Sequence, residues 1–366
     1  MLKRSIGHTT YYQFTVGRKL ENWSQLDNFW HLGVWQPHLR HQGFSFSAQG
    51  LTGVFGQWSG QQWKALVFAS PLFLPDQGPK VEVREGQLFV RNRWFSHPVD
   101  RVRIGELSSP LAFKLIEPEI SEVVFQNQVA GQFIFADGLY GNWGSMAYAY
   151  KPINQFYIGL RPIHHVSSSN VNKITEIEVY PQIRYHHLAT VEVGRRWHQG
   201  EVWASVIRDE PVNKDVPVLW VSQEFPPVWL FGIGASTNIK LPFFRNLHFS
   251  GSYLQRQSDD QKPNEFLNSN LEVLSDRFIF TEALAVEMEW FRPIRSNLKI
   301  SMNTRFIHSL AFSGETLSLE LGVHSTRGWL TQVGAEFIGS NNPNGSDFFN
   351  QYRANDRIYG GVGYVF

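Results

Sequence analysis

The chain is predicted to be all-β: a transmembrane antiparallel up-and-down β-barrel of about 18 strands, with about 16 as the alternative. Three observations predict it. Polar and apolar residues alternate strictly in segments of about ten residues, the length a tilted membrane strand needs. The 366 residues are 15% aromatic and only 18% charged, with 30 Gly spread among β-branched and aromatic residues at short range. No stretch of 18 consecutive apolar residues is present, so a crossing would have to be made by strands rather than by a helix.

Composition also sets limits on chemistry. The 33 basic and 32 acidic residues leave a net charge of +1, which argues against a nucleic-acid partner. With no Cys there is neither a disulfide framework nor a thiolate metal site. The doublets His164-His165 and His186-His187 project to opposite faces of a strand, so no metal site is expected from them. The runs around "FGIGAS" have no following helix, so no nucleotide cofactor is expected either. The opening "MLKRSIGHTT" lacks an apolar region after its basic residues and does not read as a cleavable signal, so export presumes a mature chain. No repeat or linker divides residues 1–366, which are read as one domain.

Strands are expected to start near residues 9, 28, 43, 62, 88, 100, 122, 139, 155, 176, 200, 228, 246, 278, 297, 316, 329 and 357. In the first third, "RNRWFSHPVDRVR" stands out. A turn centred near His97 would set Arg91 opposite Arg103 and Arg93 opposite Arg101, with Val90 and Ile104 together on the apolar side. Like charges in register destabilise a sheet, so this hairpin calls for an acidic or ligand partner. The next stretch, "LSSPLAFKLIEPEISE" (107–122), carries two prolines and Glu117, Glu119 and Glu122, and reads as an irregular loop. Further on, "EIEVYPQIRYHHLATVEVGRR" (176–196) is one long strand or a pair bent near His186. It offers Glu176, Glu178, Gln182, Arg184, His186, Glu192 and Arg196 to a polar face.

Alternation is cleanest toward the C-terminus. In "NLKISMNTRF", Leu298, Ile300, Met302, Thr304 and Phe306 oppose Lys299, Ser301, Asn303 and Arg305. "TLSLELGVH" opposes Leu317, Leu319, Leu321 and Val323 to Ser318, Glu320, Gly322 and His324. Water-soluble sandwiches alternate too, but Trp290, Trp329 and Tyr364 near strand ends suit aromatic girdles at a membrane interface. The chain ends "DRIYGGVGYVF", with Ile358, Val362, Tyr364 and Phe366 on one face. Here the sequence resembles the integral outer-membrane β-barrels of Gram-negative bacteria, whose last strand commonly ends in Phe with an aromatic two residues earlier.

The resemblance implies an outer-membrane location, with lipid and lipopolysaccharide as surroundings and the last strand descending to the periplasm. Residues 339–357, 257–277, 208–227 and 167–173 then read as external loops, and 325–328, 291–296, 241–246, 197–200 and 151–154 as periplasmic turns. The 107–122 stretch resembles the acidic constriction loop of general porins, although the strand count puts it on the periplasmic side. Arg91, Arg93, Arg101, Arg103, Glu117, Glu119, Arg184 and Arg196 are the expected pore residues. Arginine forks suit anions, carboxylates and saccharide hydroxyls, and a lipopolysaccharide-phosphate patch is the other use for them. His248 and Ser250 have the spacing of a base and nucleophile in an outer-membrane phospholipase, but they point away from lipid and no Asn orienter is evident, so no enzyme is expected. Two functions remain open: a channel for small polar or anionic solutes, or the barrel of a larger envelope assembly with a periplasmic partner.

Overall fold

The computed structural model describes residues 2–6, 10–40, 47–94, 101–104, 107–136, 138, 140–164, 175–212, 217, 220–222, 225–240, 247–258, 277–326, 328–341 and 347–364. Strands β1 (Leu2–Ile6) and β2 (Thr10–Lys19) precede helix α1 (Gln25–Trp30). β3 (His38–Leu39) and β4 (Ser47–Ala48) lead to the hairpin of β5 (Leu51–Ser59) and β6 (Trp63–Ser70). Next come β7 (Val81–Arg84), β8 (Gln87–Val90), β9 (Arg101–Ile104), β10 (Leu107–Leu115), α2 (Ile120–Val124), β11 (Gln128–Phe135) and β12 (Gly141–Pro152). β13 (Tyr157–His164), β14 (Thr175–Gln182), β15 (Tyr185–Trp197), β16 (Gly200–Pro211), β17 (Val221–Ser222), β18 (Val228–Ile239) and β19 (Leu247–Ser258) follow. The last elements are β20 (Glu282–Arg295), β21 (Leu298–Ser309), β22 (Gly314–Ser325), β23 (Trp329–Ser340), α3 (Phe348–Tyr352) and β24 (Arg357–Tyr364).

One fifteen-stranded sheet forms the wall, in the order β1-β2-β5-β6-β11-β12-β15-β16-β18-β19-β20-β21-β22-β23-β24. From β2 to β24 it is an antiparallel meander, with β1 added at one edge. Among the described residues no pairing joins β24 to β1 or β2, so the sheet is large and antiparallel but not closed by a ladder. Its two faces differ. Buried residues of β5, β6, β12, β15, β16, β18, β19, β20, β21 and β23 belong to one core cluster, so one face of the sheet turns inward on a common interior. The opposite face is apolar and uncovered: Val16 and Val362 are both 69% exposed and Ile358 78%. Leu317, Leu319, Leu321 and Val323 of β22 all stand exposed on it.

The two ends of the wall also differ. The connections that follow β5, β11, β15, β18, β20 and β22 span few residues and leave one end of the wall. Excursions at 20–50, 71–127, 153–184, 212–227, 259–281 and 341–356 all leave from the other. They build a five-stranded sheet, β17-β13-β14-β10-β9, in which β10 and β14 run parallel. They also build the β7-β8 hairpin.

Several expectations change accordingly. The strands expected near 88, 100, 155 and 176 exist but lie outside the wall, and the one near 122 is helix α2. The strand expected near 28 is α1, and 41–46 lies outside the described residues. Residues 107–115 are strand β10, not loop, because the segment finds partners on both sides in β9 and β14. Removing these strands from the count moves 107–122 to the long-excursion end, and 151–154 with it. The ambiguous 176–196 stretch is two strands, β14 and β15, in different sheets, broken at Ile183 and Arg184. The expected loops at 167–173 and much of 257–277, and the turn at 241–246, fall outside the described residues.

Candidate functional site

The connection from β2 to β5 folds into the interior. Its sequence, "LENWSQLDNFWHLGVWQPHL", abandons alternation and starts a helix by a capping device. Ser24 Oγ accepts from the Asp27 amide at 3.2 Å, and α1 ends at His31 in a left-handed conformation with φ 50°. Trp23, Leu26, Trp30, Val34 and Trp35 are buried, and Trp23 stacks on Trp35 at 5.2 Å. Four distant wall strands grip this plug. Glu192 of β15 accepts from Ser24 Oγ and the Gln25 amide, each at 2.8 Å, while also holding Ser205 of β16 at 2.8 Å. Trp35 Nε1 donates to Thr190 Oγ1 of β15 at 2.9 Å, and Trp30 Nε1 to Ser252 Oγ of β19 at 3.0 Å. From β11, Gln132 Nε2 donates to the Asn22 carbonyl at 2.9 Å, and from β21 Arg305 donates to the Phe29 carbonyl at 2.5 Å. Leu26 packs directly on Gly232 of β18, where a Cβ would sit 2.2 Å from Leu26 Cδ1.

A network of buried charge lies above the plug, toward the long excursions. The Asp27 carboxylate accepts from the Val34 and Trp35 amides at 3.2 and 3.1 Å, which folds the chain back after α1. Burial still pushes its carboxyl up to about 6. Lys151, 1% exposed, donates to Asn154 Oδ1 at 2.8 Å, and Asn154 donates to the Gly33 carbonyl at 2.7 Å. Asp209 lies 2.6 Å from His186 Nδ1 and is paired with Arg277. Asp76 takes Arg40 at 2.5 Å and the His38 amide at 2.7 Å, and burial raises its carboxyl above the ordinary range. A small cleft opens here, lined by His31, Arg40, Arg277 and Arg305 over Trp30 and Phe280. Burial depresses His31 to about 3 and His38 to about 4, so both rings are neutral where the network is assembled.

Below the plug, toward the short turns, the inner face is polar and pairs across strands. Arg196 donates to Glu201 at 3.0 Å, Ser301 meets His324 at 2.8 Å, and Tyr359 donates to Glu320 at 3.1 Å. His248 Nδ1 lies 3.1 Å from Asn238 Oδ1, so an Asn does sit beside that histidine, directly opposite it in the β18–β19 ladder. Among the described residues no hydrogen bond joins His248 to Ser250.

The predicted pore residues are scattered. Arg91 lies exposed in a bend after β8, and Arg101 lies exposed on β9. The β9–β10 register sets Arg101 opposite Pro110 and Arg103 opposite Ser108, so the four-arginine hairpin does not form. Its expected turn, 95–100, is outside the described residues. Arg93 does have an acidic partner, Glu336 of β23 at 3.2 Å, and that buried carboxylate is shared with Arg357 at 2.7 Å. Glu117 and Glu119 are exposed; Glu119 caps α2 and accepts from Ser121 at 3.3 Å. Arg196 faces the polar inner side, while Glu176 and Glu178 belong to the outer five-stranded sheet. There the Tyr180 hydroxyl and the Lys114 ammonium hold Glu178 below the usual carboxylate range. Arg184 is buried over the Tyr157 ring at 4.4 Å. Glu192 and Arg305 do lie on the polar faces that alternation assigns them, whereas nothing in the period of two points to Asp27, Lys151 or Asp209, although the Ser24-x-x-Asp27 spacing is a readable helix start. Among the described residues no group of three or more His, Asp or Glu is placed to hold a metal.

Neither a known protein-family model nor a curated protein matches this chain.

Proposed function

We propose that the protein is an outer-membrane β-barrel that conducts small polar or anionic solutes, and that the 20–40 segment stops the lumen at rest. The carrying observation is the plug itself, an apolar, tryptophan-rich segment hydrogen-bonded to β11, β15, β19 and β21 inside a polar-lined wall. The uncovered apolar face supports a lipid setting, because soluble monomers rarely leave contiguous apolar patches beyond a few hundred Å² in water. Wall strands such as the 12-residue β18, β19 and β22 have the reach to cross a hydrocarbon layer at a tilt. Trp23 and Trp35 are fully buried in the interior, so conduction requires the plug to withdraw. Selectivity then falls to Arg40, Arg277 and Arg305 around the cleft rather than to the arginines of 91–103.

The test is planar-bilayer conductance of the purified protein beside a variant with residues 22–36 replaced by a Gly/Ser linker of equal length. The intact protein should be closed for most of the record, and the variant should conduct steadily with anion preference. A steadily open intact protein would refute the plug. A silent variant would refute the conduit and favour the second reading, a closed barrel anchoring an envelope assembly. That reading draws on the five-stranded sheet carried at the long-excursion end.

A further inference from the structure

A separate cavity lies away from the lumen, where β14 passes into β15 beside α2. It is about 410 Å³, within the range of small-ligand sites, and Pro118, Val123, Pro181 and Ile183 supply apolar walls. Its polar lining is Arg184, Glu122, Gln126 and Gln182. Arg184 is 5% exposed, and its Nε and Nη1 are buried with no accepting group. Its guanidinium carbon lies 4.4 Å from the centre of the Tyr157 ring, and its carbonyl accepts from the Ile153 amide at 2.7 Å. A buried guanidinium beside an aromatic ring, with two nitrogens that lack an acceptor, suits an anion able to offer both of them oxygens.

We propose that this cavity binds the carboxylate of a small hydroxylated monoacid, with Arg184 as the carboxylate-reading residue. Glu122, the one carboxylate in the lining, repels an anionic ligand, a phosphate dianion more than a monoanion. Gln126 is already committed, accepting from the Tyr185 hydroxyl at 2.9 Å and donating to the Glu122 carbonyl. Gln182 is the lining amide left to meet a ligand hydroxyl. The proposal does not depend on the lumen opening, because the cavity sits at the rim and is formed with the plug in place.

The experiment is calorimetric titration of the full-length protein in detergent with D-glucuronate, D-glucose and inorganic phosphate. Glucuronate should bind, with glucose and phosphate each at least about tenfold weaker, the scale of one charged hydrogen-bonded contact. Arg184→Gln should weaken glucuronate by about tenfold or more, and Arg184→Lys, which keeps charge but loses the fork, should recover only part of that. Glu122→Gln, an exposed change, should tighten glucuronate severalfold. Absence of glucuronate binding, equal binding of glucose, tighter binding of phosphate or an unchanged Arg184→Gln would each overturn the assignment. If Arg184→Gln does not fold, as judged by its melting curve, an unchanged Glu122→Gln affinity overturns it instead. Conductance is not measured, so failure here leaves the conduit reading untouched, and a failed conduit leaves this site standing.

Discussion

Acidification should loosen the plug, because its two histidines outweigh its aspartate. When the segment leaves the interior, His31 and His38 return to an ordinary value of 6.5 from about 3 and about 4, and Asp27 returns to 3.8 from about 6. A histidine depressed by burial binds fewer protons docked than released, so docking weakens as pH falls below 6.5. A carboxyl raised by burial does the reverse, and Asp27 favours docking as pH falls from about 6 toward 3.8. Between pH 8 and pH 5 each histidine costs about 2 kcal/mol and Asp27 returns about 1.4 kcal/mol. The net loss is about 2.5 kcal/mol, roughly seventyfold in the released population. The groups facing these rings do not reverse the sign, since Arg305 and Arg40 are positive at both pH values and lower the two histidines further. Hydrogen exchange at the Gln25 amide, corrected for intrinsic rates, reads the docking directly because it donates to Glu192 of β15. Protection should fall between pH 8 and pH 5, and His31→Asn with His38→Asn should flatten or invert the trend. Protection that is constant or rises on acidification in the unmodified protein would refute the reasoning.

Three further outcomes follow from named contacts. Leu319→Arg and Leu321→Arg, on the uncovered face of β22, should each destabilise insertion by about 2–4 kcal/mol in bilayer refolding titrations, whereas Ser318→Arg on the inner face should not. A water-facing sheet would tolerate all three alike. Gly232→Ala should push Leu26 out of its seat and cost about 1–3 kcal/mol of plug docking, seen as lost amide protection across α1 with the wall unaffected. Glu336→Ala should leave Arg93 and Arg357 without their shared carboxylate and lower the thermal midpoint, with a cost of about 3 kcal/mol expected for breaking a buried pair. Glu336→Asp should recover part of it.

Alternation reports that a strand has two unlike faces, and it succeeds where the wall is the only sheet within reach. From β16 onward the expected starts at 200, 228, 246, 297, 329 and 357 fall within a residue of the observed ones, while those at 278 and 316 miss the observed Glu282 and Gly314. In the first half the same pattern misleads, because β9, β13 and β14 also have two unlike faces but belong to a second sheet. Nothing local in "RVRI" says whether its neighbour is six residues ahead or across a barrel. The arginines illustrate the limit in energetic terms. Charge in register demanded an acidic partner, and for Arg93 the demand is met, but by Glu336, 243 positions away. The expected source, Glu117 and Glu119, stays in water. Sequence spacing exposes an unbalanced charge, while its counter-charge is chosen by how the wall curls and which excursion folds inward.

The residues most informative about the interior are therefore those that break the period of two. Wall strands place one residue in two against the interior, so a segment that fills the interior has to be free of that constraint. Residues 20–40 are such a segment, with Trp23, Trp30 and Trp35 separated by seven and five positions and a Ser24–Asp27 helix start between them. The tryptophans supply bulk and a single donor each, and two of those donors find wall hydroxyls at Thr190 and Ser252. The hydroxyls lie on inner positions of β15 and β19, where alternation requires only a small polar residue. Thr190→Val together with Ser252→Ala would keep the wall's pattern and volume while orphaning both indoles. If the plug is held as described, that double variant should open the lumen more often without lowering the stability of the wall.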